Sequence, residues 1–358
     1  MNNLIRILAI NPGSTSTKIA VYENEREKFK INIEHPVTEL AQFKGVADQY
    51  DFRKNAVLNA LKDHNFDVAE LDVIAARGGP LPPIKGGAYR VNEEMVDRLK
   101  NRPIAEHASN VAALIAYELG EKLGIPAYIY DAISADELTD IARISGMPDL
   151  PRVSLCHVLN MRAVARKVAE ARQKKYADMN IIVAHLGGGI TVSLHHGGKM
   201  TDIVSDDEGP FSPERGGKVP CRSLIDLCYS GKYDYQTMRK MLRGNGGLAA
   251  YLGTSNAIEV EKRINSGDAA AKLIYDAMGY QIAKAIGELA PVVNGAVEVI
   301  VLTGGIAYSK MLTEWIAERV SFIAPVEIVP GENELESLAL GTLRVFREEE
   351  EAHEYNLG

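Results

Sequence analysis

Only three cysteines occur in 358 residues, Cys156, Cys221 and Cys228. They are too few and too scattered for a disulfide framework or a zinc cluster, so a reducing cytoplasm is the expected compartment. No run of 18 or more apolar residues is present, which leaves no candidate for a membrane-spanning helix. The apolar start is broken by Arg6 and runs straight into Asn11-Pro12-Gly13. It offers neither a signal-peptide core nor a cleavage site, and export is not expected. Basic residues never gather into a block of five or six, and the formal charge is -8, which disfavours a nucleic-acid partner. A Walker-type phosphate loop is also missing, since Gly217-Lys218 is followed by Val219 and Gly231-Lys232 by Tyr233. What remains is the composition of a soluble enzyme of about two domains acting on small molecules.

Against these absences stands a repeated layout. Two apolar runs, 5–10 and 19–22, flank the hydroxyl-rich turn Asn11-Pro12-Gly13-Ser14-Thr15-Ser16-Thr17-Lys18, and a third strand-like run follows at 28–33. The pattern returns as a run over 180–185, then Leu186-Gly187-Gly188-Gly189, a β-branched run over 190–196, a Gly-Gly turn and a run over 199–205. Each reads as a three-strand meander. Further strands are expected at 73–76 and 127–130 after the first meander, and at 297–303 and 326–329 after the second. Helices are expected at 49–64, 93–100 and 110–123 in the first half, and at 157–175, 223–229, 235–242, 268–289, 309–322 and 335–350 in the second. The expected lobes are 1–152 with about 336–358, and 153–335, the last helix returning to the first lobe. The acidic stretch from Glu348 onward reads as a solvated tail. Two meanders, each followed by alternating helices and strands, describe a duplicated α/β fold holding a ligand between lobes.

The turns set the chemistry. Gly187-Gly188-Gly189 precedes an alternating β-branched run and not a helix, so it is not a dinucleotide fingerprint. Turns rich in Gly, Ser and Thr still suit phosphate, because the backbone can approach closely and N–H and hydroxyl groups supply donors. Arg77 ends a strand and enters Gly78-Gly79, and Arg222 follows the turn-rich segment 209–220. Asp131 ends the strand at Tyr130, where a carboxylate suits a magnesium ion or, equally, caps the next turn.

Taken together, Asn11 to Lys18, Arg77-Gly78-Gly79, His107, Tyr130-Asp131, Cys156-His157, His185 to Gly189, Cys221-Arg222-Ser223, Leu302-Thr303-Gly304-Gly305-Ile306 and 330–335 resemble, in order, the motifs of the acetate and butyrate kinase family. That family lies within the sugar-kinase, heat-shock-chaperone and actin superfamily, and the resemblance covers nearly the whole chain. It implies two duplicated ribonuclease-H-like domains with an active-site cleft between them, ATP or ADP with Mg²⁺, and phosphorylation of a short-chain carboxylic acid, or its reverse. Homo-oligomers are implied as well.

The resemblance also implies roles. Arg77, Arg222, His157, Asp131 and His107 would be catalytic. Asn11, Ser14, Ser16, Lys18, His185, Gly187, Gly188, Gly189, Gly304 and Gly305 would hold the nucleotide and its phosphates. Asp131, Glu334 and Asn11 would lie on the metal side, with Glu332 competing with Glu334 because the family shows adjacent acids there; the sequence does not decide between Mg²⁺ and Mn²⁺. A carboxylic acid with a pKa near ~4.3 arrives ionised, so no general base is required. Gly79, Cys156 and Pro213 would line the acid pocket. Acetate enzymes carry a valine and a phenylalanine in place of the first two, and the smaller residues imply butyrate or a branched C4 to C5 acid at about 0.8 kcal/mol per added methylene. Two alternatives are another superfamily kinase or phosphatase acting on a sugar, polyol or polyphosphate, and a nucleotide-switched actin- or chaperone-like binding protein.

Overall fold

The computed structural model describes residues 4–356 and divides into two units, Met1–Asp136 with Asn333–Gly358, and Glu137–Glu332. The opening apolar run forms β1 (Arg6–Pro12), buried along almost its whole length, and such a strand must lie inside a sheet covered on both faces. Antiparallel β2 (Ser16–Glu23) and the half-exposed edge strand β3 (Arg26–Glu34) complete the meander. The one-turn helix α1 (Val37–Leu40), α2 (Tyr50–Asp63), β4 (Val73–Arg77), β5 (Ala88–Arg90), α3 (Glu93–Asn101), α4 (Asn110–Leu123) and β6 (Ala127–Tyr130) follow. The helix α4 buries Val111, Leu114, Ile115 and Leu119 and stops at Gly124, whose φ of 68° ends the helix in the left-handed region.

The second unit opens with the one-turn α5 (Asp140–Arg143) and α6 (Val158–Ala171). Its meander is β7 (Ile181–Leu186), β8 (Ile190–His196) and β9 (Lys199–Val204). Five helices come next: α7 (Cys221–Tyr229), α8 (Tyr235–Leu242), α9 (Gly247–Leu252), α10 (Ala257–Asn265) and α11 (Ala269–Leu289). The unit closes with β10 (Val299–Gly304), α12 (Lys310–Val320) and β11 (Val326–Pro330). The long α11 is started by Asp268, whose carboxylate accepts the Ala271 N–H at 2.9 Å. The chain then returns to the first unit as α13 (Glu334–Phe346) and the two-residue β12 (His353–Glu354).

The two sheets repeat one topology. The first is ordered β12-β5-β6-β4-β1-β2-β3 and the second β11-β10-β7-β8-β9. In each, an antiparallel meander is extended from its first strand by two parallel strands, β4 and β6 in one and β10 and β11 in the other. This is the duplicated ribonuclease-H-like arrangement that the order of turns and apolar runs implies. Among the described residues no helix is long and apolar enough to cross a membrane.

Three details differ from the sequence reading. The first crossing between units falls at Asp136/Glu137 and not at 152/153, because Arg152 ties the intervening segment to Asp202 at 3.0 Å, Glu208 at 3.0 Å and the Ala142 carbonyl at 2.7 Å. The acidic end is solvated only in part: Glu348, Glu349 and Glu351 are exposed, but Glu350 accepts the Tyr130 hydroxyl at 2.9 Å and the Arg344 guanidinium at 3.1 Å, β12 pairs with β5, and Tyr355 is buried. The strand β5 and the helices α9 and α10 are absent from the sequence reading; β5, of three residues, and α9, of six, are too brief for an apolar periodicity to register.

A buried histidine gives the second unit a pH dependence. His195 is fully buried, with Tyr176 Oη 2.7 Å from Nδ1 and Ser193 Oγ 2.9 Å from Nε2. Burial, reinforced by the Arg162 and Arg166 charges, holds its pKa well below the usual histidine value. The folded state therefore keeps it neutral, whereas the unfolded chain takes up a proton as pH falls through ~6.5. Stability is full above that value and declines below it, by up to ~1.4 kcal/mol per pH unit for this one group. Thermal unfolding between pH 8 and pH 5 is expected to show the loss, and His195→Gln to flatten it; an equal slope in both proteins would refute the assignment.

Candidate active site

In the first unit the predicted residues converge on one carboxylate. The β1 strand carries Asn11, β4 ends at Arg77, and Glu334 opens α13. Asn11 Nδ2 donates to Glu334 Oε2 at 2.6 Å, and Arg77 Nη1 donates to Oε1. Glu334 thus braces one edge of the guanidinium, while Arg77 Nε and Nη2, and the Asn11 Oδ1 acceptor, engage no described residue. A guanidinium fixed at one edge keeps its remaining N–H groups aimed for an oxyanion. Lys18 and Ser14 are exposed and Ser16 is half-buried on the neighbouring turn. His107 is exposed, with Nδ1 2.6 Å from Ser109 Oγ and 3.2 Å from the Ser109 backbone nitrogen.

Asp131 is placed differently. Its backbone adopts a φ of 42°, it is buried, and its Oδ1 accepts the Gly87 N–H at 2.9 Å while its own N–H donates to the Gly87 carbonyl at 3.0 Å. That is a carboxylate built into a turn, the plainer of the two readings of a strand-ending aspartate.

In the second unit, His157 at the start of α6 lies flat on His185 of β7, with ring centroids 3.9 Å apart and 11° between planes. His157 Nδ1 is 3.0 Å from Thr191 Oγ1, and His185 Nδ1 is 2.9 Å from Asn160 Oδ1. Glu332 Oε1 comes within 3.0 Å of His185 Nε2, out of line for a hydrogen bond. The two competing acids therefore separate: Glu334 faces Asn11 and Arg77, Glu332 faces His185.

The glycine turn after β7 is roofed by the loop that follows β9. Ser212 Oγ donates to the Gly188 carbonyl at 2.6 Å, Glu214 N–H donates to the same carbonyl at 3.3 Å, and a side chain at Gly189 would meet the Arg215 guanidinium at 2.4 Å. Asp206 in turn holds Arg215 at 2.5 Å. Gly187 and Gly189 are buried, and Gly188 is exposed at the tip. Gly304 and Gly331 exchange backbone hydrogen bonds, and Gly305 is exposed with nothing near its missing side chain. Arg222, in the first turn of α7, is exposed and makes no hydrogen bond or ion pair with a described residue. It is thus not part of the His157–His185 cluster.

Whether these groups fit a nucleotide and its metal can be judged from their chemistry. Mg²⁺ takes few protein ligands, prefers oxygen and keeps several waters. Asn11 Oδ1 and the Glu334 and Asp131 carboxylates offer oxygens of that kind; both Glu334 oxygens also accept, from Asn11 Nδ2 and Arg77 Nη1, and Asp131 Oδ1 accepts the Gly87 N–H. Among the described residues no group of three or more His, Cys, Asp or Glu side chains is arranged to hold a metal by itself.

The chain matches the model of the acetokinase family over residues 156–337. It is also 50% identical over 352 residues to Butyrate kinase 2 of Clostridium acetobutylicum, with 98% of this chain and 99% of that protein aligned. The chain belongs to the acetokinase family. Solved structures with the same fold include an acetate kinase from Porphyromonas gingivalis, at a TM-score of 0.80 and 20% identity over 96% of this chain and all of that one. A propionate kinase from Francisella tularensis gives a TM-score of 0.75 and 16% identity over 94% of this chain and 99% of that one.

In this acetokinase-family chain, Gly79 does not widen the acid pocket. Gly79 is buried, and a Cβ there would lie 2.4 Å from Asn110 Oδ1 and 3.1 Å from Leu99. The room left by the missing side chain is already filled by Asn110, so Gly79 serves a close backbone approach and opens no extra space. Cys156 and Pro213 are both buried, and the argument from a smaller side chain now rests on Cys156. Sequence reasoning also missed Ser212, Glu214 and Arg215, which cover the acetokinase glycine turn. Their signal was weak, a Pro-Glu-Arg inside a loop already crowded with charge.

Proposed function

We propose that this chain transfers the terminal phosphoryl group of ATP to the carboxylate of butyrate or a branched C4 to C5 acid, and catalyses the reverse, as a cytoplasmic homo-oligomer. The observation that carries this reading is the near-complete alignment at 50% identity with a butyrate kinase. The first unit's cluster supports it, because a guanidinium braced by Glu334 and bordered by a Lys- and Ser-bearing turn suits a phosphoryl group.

A carboxylate oxygen of the acid attacks the γ-phosphorus in line. The new P–O bond forms as the bond to the β-phosphate oxygen breaks, and ADP leaves with that electron pair. The acceptor is already ionised, so no proton moves. Charge spread over the three equatorial oxygens is met by Arg77, Arg222 and His157, the stage at which such donors matter most. Ser14, Ser16 and Lys18 hold phosphate oxygens, and Gly188 and Gly305, both open to solvent, admit the nucleotide. Mg²⁺ near Asn11 and Glu334 supplies charge neutralisation when bound.

Acid length tests the reading. With hydroxylamine trapping the acyl phosphate, kcat/KM for butyrate is expected to exceed that for acetate by about tenfold or more, as two buried methylenes at ~0.8 kcal/mol each require. Equal values for the two acids would overturn the preference, and the absence of hydroxamate with every acid would overturn the reaction.

A further inference from the structure

Of the twelve largest side chains buried to below 2% exposure, one is a cation. Arg53 on α2 is 1% exposed, on the same stripe as Val57 and Leu61 at spacings of four. A buried guanidinium is normally matched by a carboxylate, because an unpaired buried charge costs several kcal/mol. Arg53 has no carboxylate partner among the described residues. Its Nε donates to Gln49 Oε1 at 2.9 Å, Nη1 to the Ser16 carbonyl at 2.9 Å and to Thr17 Oγ1 at 3.0 Å, and Nη2 to the Ser14 carbonyl at 3.0 Å.

Three of those four bonds go to the turn Asn11–Lys18. The carbonyls of Ser14, Thr15 and Ser16 all have donors: Arg53 for Ser14, the His35 N–H at 2.8 Å for Thr15, and both Arg53 and the turn's own Gly13 N–H at 2.8 Å for Ser16. The N–H groups of Ser14 and Thr15 reach no acceptor among the described residues, and both residues are exposed. Outward amides with inward carbonyls make an anion-binding concavity. A second layer stands behind the turn: Thr17 Oγ1 accepts from Arg53 Nη1 and lies 2.8 Å from His35 Nε2. Burial and the Arg53 charge both depress the His35 pKa.

We infer that Arg53 is a positioning residue for the phosphate turn, holding its carbonyls inward and placing behind it a positive charge whose counter-ion is the polyphosphate of the bound nucleotide. This rests on the proposed reading of Asn11–Lys18 as a phosphate turn.

The test compares Arg53→Met, which removes the charge and the fork, with Arg53→Lys, which keeps only the charge, in the full-length protein. The readouts are the MgATP concentration that half-saturates thermal stabilisation, and the separate KM values for ATP and butyrate. Arg53→Met is expected to raise the half-saturating MgATP concentration and the ATP KM by about tenfold or more, equivalent to ~1.4 kcal/mol, with the butyrate KM changed less than about twofold. Arg53→Lys is expected to recover part of that loss. A lower melting temperature with unchanged MgATP half-saturation would mark a merely structural residue and overturn the inference. If the Met variant does not fold, the Lys variant decides: a rise of about threefold or more supports the inference, and wild-type half-saturation refutes it. Lys18→Met separates the two readings. If it weakens MgATP and Arg53→Met does not, this inference alone fails; if neither does, the phosphate-turn reading fails with it.

Discussion

Arg77→Ala is expected to lower kcat for acyl phosphate formation by about 10³-fold or more, the range seen when a transition-state arginine is removed from a phosphoryl-transfer site. Two effects combine. The guanidinium that would meet the equatorial oxygens is gone, and Glu334 is left with Asn11 as its one described partner. A carboxylate stripped of its counter-charge would then face an incoming polyanion. Arg77→Lys is expected to recover little, since an ammonium cannot hold Glu334 at one edge and present a second edge to phosphate. Arg222→Ala should show a comparable loss in kcat for a simpler reason, as this residue supports no described side chain and its removal disturbs no packing. Rapid-quench measurement of hydroxamate in a single turnover, with circular dichroism to confirm folding, checks both. Activity within about tenfold of wild type in either variant would remove that arginine from the transition state.

Gly304→Ala is expected to destabilise the second unit by about 3 kcal/mol or more, while its neighbour Gly305→Ala leaves stability within about 0.5 kcal/mol. The sequence presents the two glycines as one motif, and the structure separates them. Gly304 has a φ of 91°, and a Cβ on it would lie 2.4 Å from the Leu186 carbonyl oxygen and 2.8 Å from that residue's backbone nitrogen and carbon. The backbone has little freedom to retreat, because β10 lies between β7 and β11 and Gly304 exchanges hydrogen bonds with Gly331. Gly305 has nothing within 4 Å of its missing side chain, so Gly305→Ala tests nucleotide approach and not folding. Urea unfolding and the ATP KM, measured on both variants, distinguish the roles; equal stability losses would contradict the separation.

Much of the architecture was legible because it repeats. The apolar runs around Asn11–Lys18 and Gly187–Gly189 became β1, β2, β7 and β8, and α4 and α8 fall on the predicted residues. Elements without a periodic signal were not legible: β5 is three residues long, and β12 gains its place from Glu350, Arg344 and Tyr130 meeting across more than 200 positions of chain. Charge misled in the same region, since an acidic run reads as solvated until a buried tyrosine hydroxyl needs an acceptor. Gly79 misled because a missing side chain looks like space, and only coordinates reveal Asn110 occupying it. Glu332 and Glu334 are two positions apart and chemically alike, so the sequence favours Glu334 on the metal side with Glu332 as its competitor; their partners, the Asn11–Arg77 pair for Glu334 and His185 for Glu332, come from distant strands. Arg53 did leave a trace, as a cation on the apolar stripe of an otherwise ordinary amphipathic helix.

Phosphoryl transfer to a carboxylate is tested most directly by following an oxygen atom. Butyrate labelled with ¹⁸O in both carboxyl oxygens is incubated with enzyme, ATP and Mg²⁺, the product is cleaved by hydroxylamine at the acyl carbon, and the released phosphate is weighed by mass spectrometry. Attack by the carboxylate on phosphorus predicts a single ¹⁸O in each phosphate released. Unlabelled phosphate, formed at the same rate with or without butyrate, would contradict the account.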